Sequence, residues 1–108
     1  MEISLSEVQI YPIKPKIGLV GFASFVLNGY LYLGSIGIYT RPEGGYRLTY
    51  PTRNGPNGSL NIFHPINRET AQIIEKVIID LIKKTNFAIN ILVLFMKRQK
   101  YILKDIYM

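Results

Sequence analysis

The side chains best suited to chemistry in this 108-residue chain are its cations. Arg41, Arg47 and Arg53 lie in and around a glycine-rich stretch, Arg68 opens a helical pattern, and Lys76, Lys83 and Lys84 follow along it. Lys97, Arg98, Lys100 and Lys104 crowd the C-terminal end. Such groups neutralise phosphates whatever the base sequence, with an attraction that falls steeply as salt rises. Tyr46 and Tyr50 stand beside the first group and offer flat rings on which unpaired bases could stack. Arg53 and Arg68 are the best placed, because they flank a turn and a helix N-terminus, where backbone N–H groups and the helix dipole also favour a phosphate. For each cation the competing reading is ordinary solvated surface.

Other chemistries are poorly supplied. The chain has no cysteine, which excludes disulfides, thiolate zinc sites and cysteine nucleophiles. His64 is its only histidine, and one imidazole without carboxylate company does not make a metal site; its expected role is to anchor the corner ahead of Pro65. The carboxylates Glu2, Glu7, Glu43, Glu69, Glu75, Asp80 and Asp105 are not spaced as a converging acid–base pair. Gly44-Gly45 and residues 54–58 are glycine-rich but lack the Lys-Ser/Thr of a phosphate-cradling loop, so both read as turns. The expectation is a protein without catalytic residues, cofactor, metal or small-molecule substrate.

The net charge of +6 is unevenly spread. Residues 1–82 hold seven basic and six acidic residues, whereas residues 83–108 hold six basic and one acidic. The same tail is rich in Ile, Asn, Lys and Tyr, which AT-rich coding sequence favours, so composition competes with selection as the source of its charge. Its apolar run over residues 87–96 is interrupted by Asn90 and falls well short of the roughly 20 residues a membrane span needs. With no basic-then-apolar leader pattern in residues 1–9, a cytoplasmic location is expected.

The elements that must position these groups can be read in order. Residues 3–13 suit an edge strand, ending near Pro12 and Pro15, since proline cannot complete a ladder on both sides. Residues 18–27 and 30–39 form a hairpin about Asn28-Gly29, two residues that accept the positive φ of a type I′ turn. Both hairpin faces are apolar, with Leu19, Ala23, Phe25 and Leu27 on one and Val20, Phe22 and Val26 on the other, so each needs a cover. A helix over residues 68–84, with Asn67 as N-cap and a stripe of Ile73, Ile74, Val77, Ile78, Leu81 and Ile82, can cover one. The tail or a second subunit must cover the other, and a domain this small gains from a homodimer formed through the sheet. From Asn86 onward the pattern fits helix and strand alike.

Residues 47–67, RLTYPTRNGPNGSLNIFHPIN, carry a more specific signal. They read as strand, glycine turn, strand and helix start without interruption. Pro51-Thr52-Arg53, the short glycine turn, and His64-Pro65-Ile66-Asn67 opening an amphipathic helix resemble the signature of the stage V sporulation protein G (SpoVG, septation-protein) family. The resemblance extends back through the hairpin to the N-terminal strand and covers roughly the first eighty residues. It implies a nucleic-acid-binding regulator of DNA or RNA linked to sporulation, septation, cell division and control of gene expression. In the family the first helical turns bear basic residues implicated in binding. Here they read Arg68-Glu69-Thr70-Ala71-Gln72-Ile73, and the tail, commonly acidic in the family, is basic.

The expected fold is therefore α+β: an antiparallel sheet of about five strands, one main amphipathic helix, and a C-terminal extension. Residues 1–84 form the domain and residues 85–108 the basic, apolar extension. The candidate nucleic-acid contacts are Arg47, Arg53, Arg68, Lys76, Lys97, Arg98, Lys100 and Lys104. A non-catalytic protein-interaction module acting in cell division or regulation is the alternative.

Overall fold

A computed structural model of the chain describes residues 2–85. The readings made for residues 86–108, including Lys97, Arg98, Lys100 and Lys104, lie outside the described residues. The fold is α+β. Strands β1 (Leu5–Lys16), β2 (Leu19–Leu27), β3 (Leu31–Thr40) and β4 (Tyr46–Thr49) form an antiparallel sheet in the order β1-β2-β3-β4. Strands β5 (Thr52–Gly55) and β6 (Gly58–Asn61) form a separate two-stranded sheet, and helix α1 runs over Arg68–Lys84.

The single sheet of about five strands thus becomes two sheets. Pro51, which has no N–H for a ladder, ends β4, and the next strands, TRNG and GSLN, have no apolar face for the core to draw in. The β5–β6 hairpin turns at Pro56-Asn57, with Gly55 paired to Gly58, and every strand residue but Gly55 is exposed. Its base is closed by the Ile62 N–H donating to the Pro51 carbonyl at 3.0 Å.

β1 is an edge strand as expected, but it runs past both prolines to Lys16. Its pairing slips from Pro12↔Gly21 to Lys16↔Leu19, and an edge position with an irregular register is where proline costs no ladder bond. The next turn was not legible. Ile17 and Gly18 both take positive φ, 49° and 85°, and reverse the chain between Lys16 and Leu19. A β-branched side chain in this region is strained, by about 1–2 kcal/mol relative to the ordinary helical region, and Ile17 is 92% exposed, so packing does not offset it. Ile17→Asn should therefore raise stability by about 1 kcal/mol, moving the thermal midpoint up by roughly 4–8 °C. A scanning-calorimetry midpoint that stays put or falls would refute this.

At the β2–β3 turn Asn28 and Gly29 take φ of 50° and 75°, and the Tyr30 N–H donates to the Leu27 carbonyl at 2.9 Å. Asn28 also binds the N-terminal segment. Its N–H donates to the Ser4 carbonyl at 2.8 Å, and its Oδ1 accepts from the Ser4 N–H at 2.7 Å. Beyond the turn the register shifts twice, between Leu19/Gly21 and between Ala23/Phe25, the second beside Ser35 with φ 60° on β3. These bulges break the alternation of side chains. Val20 accordingly joins Ala23 and Phe25 in the core, not the opposite face to which strict alternation assigns it.

Helix α1 matches its expected bounds. The Asn67 Oδ1 accepts from the Thr70 N–H at 2.8 Å, satisfying one first-turn donor, and the Thr85 N–H closes the far end on the Leu81 carbonyl. Ile74, Ile78 and Ile82, one turn apart, are buried against Val20, Ala23, Phe25, Ile36 and Ile38. Burial of each such side chain contributes roughly 1.5–3 kcal/mol, so tertiary packing dominates the stability of this helix. Helix α1 covers one sheet face in this way, and among the described residues no element covers the other.

Candidate nucleic-acid interface

The open face is defined by register. Tyr46 and Leu48 pack against the core, so Arg47, between them on β4, points away from the helix. It pairs across to Tyr39, and its guanidinium carbon stands 4.6 Å from the centre of that ring. Contact with an aromatic face holds the cation in place at an exposed site for about 0.5–1 kcal/mol. Tyr11 on β1 lies directly opposite Phe22 on β2, which pairs with Gly37 on β3. Tyr32 occupies the same side, opposite Val26. Two glycines of β3 keep this face low. A Cβ on Gly37 would come within 2.5 Å of the Thr49 hydroxyl and 3.3 Å of the Tyr39 ring, and one on Gly34 within 3.3 Å of the Tyr32 ring.

The expected site residues fall on three separate elements. Arg47 is on β4, Arg53 on the detached β5–β6 hairpin opposite Leu60, and Arg68 and Lys76 on α1; all four are exposed. Lys76 pairs with Asp80 one turn on at 3.1 Å, a surface contact of small energy that offsets part of its positive field. At the N-terminus of α1 the Asn67 side chain takes one free N–H and Glu69 adds a carboxylate in the first turn, so internal acceptors compete there with any phosphate.

Tyr46 and Tyr50 are less available than their sequence positions suggest, because both pack against the core. Tyr50 meets Phe63 edge-on, with ring centres 6.0 Å apart, and its phenol is pushed up to about 12 by burial and then by the negative charge of Glu75. His64 Nδ1 lies 3.1 Å from the Pro65 carbonyl oxygen, and the residue borders a small apolar hollow of about 170 Å³ with Phe25, Tyr50, Phe63 and Ile74. The residue itself is exposed, and this contact reaches only its neighbour in sequence. Among the described residues no three His, Cys, Asp or Glu side chains converge, and no helix is long and apolar enough to cross a membrane.

The aromatic residues of the open face were not legible as a group. Tyr11, Phe22, Tyr32 and Tyr39 come from three strands, and the bulges hide which side each takes. Alternation around the buried residues could have exposed Tyr32 and Tyr39, but only pairing puts Tyr11 beside Phe22. No protein-family model and no curated protein matches this chain.

Proposed function

We propose that this chain is a SpoVG-like, non-catalytic regulator that binds DNA or RNA and acts in septation, sporulation and gene-expression control. The observation that carries the reading is Arg47 braced on the Tyr39 ring at 4.6 Å, on a sheet face that also presents Tyr11 and Tyr32. A fixed cation beside flat rings suits phosphate and base together. The motif of residues 51–67 and the net charge of +6 support the same reading. In a gel-shift titration with short oligonucleotides, a retarded complex should form at low salt, and log affinity should fall linearly with log salt. No retardation at low salt would reject the function.

Homodimerisation belongs to the proposal. Only eight apolar residues are buried among those described, a small core that a second subunit would extend. Sedimentation at tens of micromolar should report twice the chain mass, and a monomer would overturn this part. The alternative, a protein-interaction module, draws on Tyr30, Leu31, Ile62 and Ile66, large apolar side chains left exposed on connections and strand ends. It becomes the preferred reading if the gel shift fails.

A further inference from the structure

Resting on the nucleic-acid reading above, we propose that the open face of β1–β3 is a stacking platform for unpaired bases of a single strand, with one base seated between Tyr11 and Tyr32 over Ser24. Between these two rings the sheet forms a groove of about 300 Å³, lined also by Phe22 and Ser35. This is the lower end of the size range of ligand sites, roughly 300–1,000 Å³. The tyrosines are 48% and 68% exposed, so their faces are available. They are also held. The Tyr11 hydroxyl donates to Gln9 Oε1, and the Tyr32 ring lies across bare Gly34.

The floor of the groove supplies a second observation. Ser24 is 2% exposed, and its hydroxyl has no hydrogen-bond partner among the described residues. A buried hydroxyl left unpaired costs about as much as a lost hydrogen bond. The Ser24 oxygen is closed off from the groove's solvent, so Ser24 gives a stacked base a closed floor and not a hydrogen-bond partner. Arg47, braced on Tyr39 toward the β4 side of the same face, supplies the charge complementarity for the backbone of the strand. A duplex hides its base faces in its own stack, so this chemistry selects unpaired nucleotides.

The test uses the full chain and fluorescence anisotropy with a labelled 12-nucleotide single strand, the same strand without bases, and the corresponding duplex. Tyr11→Ala and Tyr32→Ala should each weaken single-strand binding by about 5- to 150-fold, the loss expected for one stacked base. Tyr32→Phe should bind like the parent, since stacking needs the ring and not the hydroxyl. The salt slope should be unchanged in the tyrosine variants but reduced by about 0.7 in Arg47→Gln. The base-free strand should bind far more weakly, and binding of the normal strand should quench the tyrosine emission of this tryptophan-free chain.

Salt-dependent binding that the alanine variants leave intact, or that the base-free strand or the duplex matches, would overturn the platform while leaving the proposed function standing. Tyrosine variants that change the sedimentation coefficient but not oligonucleotide affinity would assign the face to a second copy of the chain and likewise overturn it. Absence of any oligonucleotide binding at low salt would remove the function and the platform together.

Discussion

Replacing Lys97, Arg98, Lys100 and Lys104 together with glutamine is expected to weaken binding to every oligonucleotide and to flatten the slope of log affinity against log salt by about three to four units. The expectation rests on the charge distribution, nearly neutral over residues 1–82 and strongly positive over residues 83–108. Each neutralised phosphate contributes about 0.7 to 0.9 to that slope, so four lost contacts give the stated change. The described surface strengthens the case. Lys76 already faces Asp80, and Glu69 sits in the first turn of α1 beside Arg68, so the helix offers little net attraction. If binding lives instead on the β5–β6 hairpin and the start of α1, Arg53→Ala with Arg68→Ala should be the damaging pair and the tail variant nearly silent. Gel shifts across salt distinguish the two, and binding unaltered in both variants would reject both placements.

The second large effect concerns stability. Phe25→Ala should cost about 3–5 kcal/mol, a large share of the roughly 5–15 kcal/mol that holds a typical domain together. Phe25 is fully buried on an interior strand, in the cluster that joins Ala23, Ile36 and Ile38 to Ile74 and Ile78. Its removal leaves a cavity that two layers would have to close at once. Phe22→Ala, on the open face and only partly buried, should cost far less. Urea unfolding should show the Phe25 variant with a much lower midpoint at constant slope. A loss below about 1 kcal/mol would mean that the core is not built around this ring.

Residue type and spacing alone determined the local elements. The isoleucine period and the side chain of Asn67 set the bounds of α1, because both act within the helix itself. Asn28-Gly29 set the β2–β3 turn for the same kind of reason, and Pro12 and Pro15 marked β1 as an edge. The placement of side chains on sheet faces was decided only by the tertiary structure. A bulge shifts every later residue by one position, and where it falls depends on how two strands pair, so Val20 moved into the core and Tyr11 came to lie beside Phe22. Pairing likewise separated β5–β6 from the main sheet, since that polar hairpin gains nothing from joining it. Tyr46 and Tyr50 look like free rings in the sequence and are half-buried in the fold, while the aromatic face that is open draws on strands far apart in the chain. The charge excess of the chain is a property of its sequence; the bracing of Arg47 on Tyr39 is a property of β3 and β4 lying side by side.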